Sequence, residues 1–205
     1  MNLEQLTDRL IANGQNMKLM VSSSRTDDGY NSLEVFSEIE KTDAFWMVSK
    51  TAYNKKEVMR AFLDEDVACL FFFLKVLRSQ FSKTIDQMRL NLSLSITNLK
   101  TKDDAVSFLS KIGCQNRYFS FDENNFCKDS FYIRWEADSC FTMFYTDDKG
   151  ERSLISNKWT FAYFEILYLQ LLRNEEQILI ENGILKVPFS RMEILVFIKG
   201  DFDNL

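Results

Sequence analysis

The sequence predicts an α+β protein made of two similar helix-sheet-helix halves, with antiparallel sheets packed on long apolar helices. Three observations carry this expectation. Short amphipathic segments are stopped by glycine at Gly14 and again at Gly113, runs of β-branched and aromatic residues follow each stop, and a long apolar segment follows those strands in each half. The offset between matched positions is about 99 residues at the glycines and about 95 at Arg78 and Arg173, a drift that small loop deletions leave behind in an internal duplication. A chain of 205 residues accommodates two units of about 100 residues, each able to bury a core without staples. The halves are expected at residues 1–100 and 101–205.

The elements follow in order. Leu3, Leu6, Leu10 and Ile11 recur at helical spacing over Leu3 to Ala12 before Asn13-Gly14. Ala105, Val106, Phe108, Leu109 and Ile112 do the same over Asp103 to Ile112 before Gly113. First strands are expected at Met17–Ser22 and Tyr118–Phe121, with polar turns at Ser23–Gly29 and Asp122–Asn125. Ser32–Phe36 then matches Ser130–Arg134, and Phe45–Val48 matches Phe141–Phe144, all rich in strand formers. Long helices are expected over Lys55–Phe81 and Trp159–Glu176. In the first, Met59, Leu63, Val67, Leu70, Leu74, Leu77 and Phe81 form an apolar stripe. Gln87–Thr97 alternates Met88, Leu90, Leu92, Leu94 and Ile96 and reads as a strand, as does Ile184–Ile198 around Pro188.

Composition narrows the chemistry. Hydrophobic residues make up 46% and charged residues 27%, the balance of an ordinary globular protein, and the 19 Phe suit a densely packed core. The chain has no His, which removes the commonest general base and zinc ligand. Cys69, Cys114, Cys127 and Cys140 lie far apart without a paired spacing, so they read as reduced thiols, and no metal site or cofactor is expected. Six glycines and no phosphate-loop or nucleophile-elbow pattern argue against nucleotide enzymes and hydrolases. A net charge of −5 argues against nucleic acid and favours a basic protein partner. No run is long enough to span a membrane, and Met1-Asn2-Leu3-Glu4-Gln5 lacks a leader pattern, so a cytoplasmic protein is expected, as a monomer or weak homodimer.

The candidate binding residues come from acidic turns and nearby aromatics. Asp27, Asp28, Asp122, Glu123, Asp147 and Asp148 fall at expected loop tips, where acids either bond local backbone or present a negative rim. Tyr30, Trp46, Trp135 and Tyr145 lie in or near the strands and are the aromatic anchors such a rim would surround.

In size, acidity and plan the whole chain resembles bacterial immunity proteins of polymorphic-toxin systems, which are small cytosolic α+β proteins that bind one toxin domain and block its active site. This resemblance is one of character, so no family residues are carried over. It implies a non-catalytic, one-to-one protein binder. Leu109-Ser110-Lys111-Ile112-Gly113 with Phe119-Ser120-Phe121-Asp122-Glu123 and Phe126-Cys127 is similar to the opening of small acidic secretion chaperones, which implies the alternative of a cradle for an exported protein. A carboxylate-dependent enzyme is the third class. An immunity protein calls for an acidic patch with aromatic anchors, a chaperone for open grooves or sheet edges, and an enzyme for a pocket with converged acids.

Overall fold

A computed structural model describes residues 1–14, 17–20, 23–26, 36–52, 55–97, 99–124, 127–137, 140–157 and 162–202. It is an α+β chain in two compact units, Met1–Gln80 with Asn182–Lys186 and Phe81–Glu181 with Val187–Leu205. The division falls inside a helix. None of the described helices is long and apolar enough to cross a membrane.

In the first unit α1 (Leu3–Ala12) starts at a reciprocal cap: Asn2 accepts the Gln5 N–H, and the Gln5 side chain accepts the Asn2 N–H. It buries Leu3, Leu6 and Leu10 and ends at Gly14, whose φ of +79° lies in the left-handed region. Then β1 (Met17–Met20), β2 (Ser23–Thr26), β3 (Phe36–Lys41), β4 (Trp46–Ala52) and β5 (Lys55–Phe62) form an antiparallel sheet in chain order. Ile39 pairs with Val48, and Trp46 with Phe62, on the apolar face; Glu38, Glu40 and Lys56 take the other. The Phe62 ring stands 5.1 Å from Phe71 of α2 (Glu65–Thr97). Asp64 caps α2 by accepting the Val67 N–H at 3.0 Å, and Gln80 of α2 donates to the Asn13 carbonyl at 2.6 Å, satisfying a carbonyl at the end of α1. Phe72, Phe73, Leu74 and Leu77 are fully buried, each burial contributing about 1.5–3 kcal/mol.

In the second unit α3 (Lys102–Lys111) opens with the same kind of cap, Thr101 with Asp104, and stops at Gly113 with φ of +87°. Bonds from Thr101 and from the Lys100 N–H hold the Asp104 carboxyl below its usual range. After a short 3-10 turn (Asn116–Tyr118) come β6 (Phe119–Ser120), β7 (Ser130–Ala137), β8 (Cys140–Thr146) and β9 (Arg152–Asn157), in the order β6-β7-β8-β9. Phe131 opposite Tyr145 and Ile133 opposite Met143 are fully buried on one face. Tyr163 of α4 (Tyr163–Glu181) stacks on Phe141 at 4.5 Å, and Phe108 of α3 reaches Tyr163 and Phe164 at 6.0 and 6.1 Å. Gln170 of α4 donates to the Gly113 carbonyl at 3.1 Å, again at the end of the short helix. Last comes α5 (Arg191–Lys199), capped by Ser190 with Glu193; its Phe197 packs edge-on against Tyr168 and Phe81.

Several expectations are corrected. The second sheet is mixed, because β6 runs parallel to β7. Lys55–Phe62 is a strand rather than the start of a helix: Met59, Leu63 and Val67 mimic helical spacing, but β5 is fixed by its ladder to β4, and Leu63 and Val67 are 83% and 52% exposed. Gln87–Thr97 continues α2 instead of forming a strand. No Gly or Pro interrupts Glu65–Thr97, so adding each residue to the existing helix is favourable, and the alternation is broken by Leu90 at 78% exposure. Residues 191–199 are helical rather than extended, because the Ser190–Glu193 cap and Gly200 bracket Ile194, Phe197 and Ile198 at helical spacing. Ser23–Thr26, expected in a turn, is β2, and the expected strand at Ser32–Phe36 lies outside the described residues except for Phe36, which opens β3.

Candidate functional site

Asp27, Asp28 and Tyr30 lie outside the described residues. Trp46 is buried in the first unit with the Lys41 ammonium 5.7 Å from its ring centre. The other sequence-derived candidates belong to the second unit. Asp122 and Glu123 are exposed in the turn after β6, where Asp122 accepts the Asn124 N–H at 2.9 Å and Glu123 pairs with Arg152 at 3.2 Å. Trp135 is half-buried beside Phe121. Tyr145 is fully buried and donates its hydroxyl proton to Asp129 at 2.9 Å; burial, then the Asp129 charge, pushes that hydroxyl well above the usual tyrosine range. Asp147 turns inward, accepting the N–H groups of Lys149 and Glu151 at 2.9 and 2.8 Å and facing Arg191 at 3.4 Å, while Asp148 stays exposed.

Tyr145, Asp147 and Asp148 therefore meet at one cleft of about 570 Å³, shared with Asp129, Arg173 and Arg191. Its charges are engaged with one another. Arg173 binds Asp129 and, at 2.6 Å, Glu176, whose other oxygen accepts the Phe189 N–H; Arg191 binds Glu151 and donates to Ser153 at 2.8 Å. Glu176 and Arg191 together clip the Phe189–Arg191 segment down, so the chemistry here is that of a clamp. Asp129 carries a φ of +55°, a left-handed conformation that Asp tolerates better than most side chains. Among the described residues no group of three or more Cys, Asp or Glu is placed to hold a metal ion. Burial pushes the Cys69 and Cys114 thiols up to about 12, so they are protonated and act as apolar filler.

The opposite face of the second sheet carries a different constellation, one the sequence reading passed over. Tyr132 pairs with Phe144, which pairs with Leu154, in one cross-strand row. The Tyr132 and Phe144 rings stack at 6.2 Å and 17°, the Arg152 guanidinium sits 4.7 Å from the Tyr132 ring centre, and Arg134 sits 5.8 Å from that of Phe144. Leu154 is 52% exposed. The result is an aromatic row between two arginines, with Glu123 and Glu136 as their carboxylate partners at 3.2 and 3.3 Å. The period of two places Trp135 and Tyr145 on one face and Arg134 and Phe144 on the other. Because both faces hold aromatics, composition does not tell which one faces the solvent.

Comparison with family models, with curated proteins and with solved structures finds no match to this chain.

Proposed function

We propose that this chain is a cytoplasmic, non-catalytic immunity protein that neutralises a cognate bacterial toxin by one-to-one binding. The observation that carries the reading is the Phe144–Leu154 part of the aromatic face of the second sheet, where apolar area reaches the surface between two arginines. Arg is among the side chains that most often anchor protein interfaces, and here Arg134 and Arg152 flank the partly exposed Phe144 and the exposed Leu154, with Tyr132 buried beneath them. Asp122, Glu123 and Asp148 supply acid nearby, and the net charge of −5 steers a basic partner towards the molecule.

The two units are read as an internal duplication. Supporting this, the caps Asn2–Gln5 and Thr101–Asp104, the stops Gly14 and Gly113, and the closing bonds Asn13 to Arg9 and Ile112 to Phe108 all recur at one offset. A glutamine of the following long helix meets the end of each short helix, Gln80 at Asn13 and Gln170 at Gly113.

The test is affinity capture of the tagged protein from its native host, with mass spectrometry and stoichiometry, alongside Leu154→Glu. Recovery of a single basic domain, one to one and lost with Leu154→Glu, is the expected result. An unfolded export substrate identifies a secretion chaperone instead, the reading favoured by the place of β9 at the edge of the second sheet among the described residues, and no partner returns the question to a carboxylate-dependent enzyme.

A further inference from the structure

The strand edges of the two sheets differ in how they meet solvent. At β5, one of the two edges of the first sheet, Lys55, Lys56 and Glu57 are exposed and the ladder shifts register at Val48/Ser49, leaving Met59 unmatched; charge and bulge together discourage a further strand. At the second sheet one edge is the two-residue β6, too short to template much. The other is β9, Arg152-Ser153-Leu154-Ile155-Ser156-Asn157, which carries one charge and no proline, and whose register shift comes only after Leu154.

The phase of the β8–β9 ladder follows from its turn. Gly150 N–H bonds the Asp147 carbonyl and Asp147 N–H bonds the Glu151 carbonyl, both at 3.1 Å, which makes Asp147–Glu151 the hydrogen-bonded pair closing the hairpin. Alternation then gives Tyr145–Ser153 as the next bonded pair and Phe144–Leu154 as a pair without mutual backbone bonds. Leu154 consequently directs its N–H and C=O away from β8, outward from a sheet edge that no other described strand pairs with, while its side chain lies beside Phe144 on the aromatic face.

We propose that the β9 edge takes up an extended segment of a partner protein as an added strand. Leu154 exchanges both backbone bonds with it, an apolar side chain of the segment lies in the Leu154–Phe144 row, and an acidic side chain two residues away lies beside Arg152. This rests on the binding-protein reading above and supplies its mode. The acid is set by charge: Arg152, the single charged residue of β9, has its guanidinium on the aromatic face and holds the exposed Glu123 at 3.2 Å, and a carboxylate of the incoming segment takes the place of Glu123. The excess acid of the whole chain governs approach from a distance, whereas Arg152 governs register at contact.

The probe is a synthetic nine-residue peptide with the core Leu-Thr-Val-Thr-Glu, which in antiparallel pairing sets Val opposite Leu154 and Glu opposite Arg152 on one strand face, titrated into the full chain and followed by residue-resolved amide exchange. The expected result is protection of the Leu154 N–H with Ser153 unchanged, binding about tenfold weaker when Lys replaces Glu (about 1.4 kcal/mol), and reversal of that preference in Arg152→Glu. Leu154→Pro, which removes the outward N–H at a position unbonded to β8, is expected to keep the circular dichroism of the fold and lose the peptide. An unprotected Leu154 at millimolar peptide, or equal binding of the Glu and Lys peptides, overturns the proposal. A host partner captured equally well by Leu154→Pro also overturns strand addition but leaves the binding reading standing.

Discussion

The face of the first sheet that carries Glu38, Glu40 and Lys56 and the aromatic face of the second sheet handle exposure in opposite ways. In the first, Lys56 bonds Glu38 at 3.0 Å and also Glu40, so the charges across β3 and β5 answer one another. In the second, rings stack between arginines and an apolar Leu154 stands half in solvent. The lesson is that the residues on the less buried face decide whether a sheet is closed to partners. A charged, self-paired face has little to gain from contact. An aromatic one still has apolar area to remove from water.

The largest expected effect tests that burial asymmetry within one strand. Phe141→Ala, which empties the stacked contact with Tyr163, is expected to destabilise the second unit by about 3–5 kcal/mol in urea unfolding, whereas Phe144→Ala on the opposite face is expected to lose about 1 kcal/mol. Equal losses would mean that both faces are packed as core, removing the basis for a binding surface.

Next is the contrast between clamped and surface charge. Arg173→Met leaves Asp129 and Glu176 without their cation in a largely buried setting and is expected to destabilise by about 3 kcal/mol; Lys56→Met, in a solvent-screened pair, by about 0.5 kcal/mol. The Lys56 term also has a pH signature. Partial burial pulls its pKa down, but the Glu40 and Glu38 hydrogen bonds and charges outweigh that and hold the ammonium above its usual value. A raised folded pKa means the contribution is complete below the unfolded lysine value and disappears as pH rises through the folded one. Alkaline unfolding of wild type and Lys56→Met should therefore converge as pH rises through the folded lysine value; parallel curves would show that the ion pair contributes nothing.

A smaller effect sharpens the proposed duplication. Asn2→Ala and Thr101→Ala each remove the side-chain acceptor from a helix start and are expected to lose about 1 kcal/mol apiece. A loss at one helix alone would indicate that the matching caps are not doing matching work.

Much of the architecture was readable before any coordinates. Leu3–Ala12 is α1 residue for residue, and the second short helix, the β7 and β8 runs and the body of α4 fall close to where periodicity put them, because helix caps and strand formers act locally. The failures share one cause. Gln87–Thr97 alternates like a strand but lies in a helix already nucleated upstream, and Lys55–Phe62 carries helical spacing but is held by β4. In each, a non-local partner or an existing helix overrode the local pattern. Residues 191–199 are a different failure, since Ser190, Glu193 and Gly200 spelled out a capped helix around them. For the candidate site, acidic turns were legible as turns, yet whether an acid faces out is a matter of neighbours: Asp148 does, and Asp147 next to it is spent on Lys149, Glu151 and Arg191.

By itself the sequence determined the α+β class and the absence of histidine chemistry, since composition, capping residues and hydrophobic period act within a few residues along the chain. Only the tertiary structure decided that Phe144 and Leu154 lie on the less buried part of the second sheet, that Tyr145 serves a buried ion cluster, and that Leu154 lies in the edge strand among the described residues. Those outcomes depend on ladder register and on packing between segments far apart in sequence, and a shift of one residue in either would reverse them.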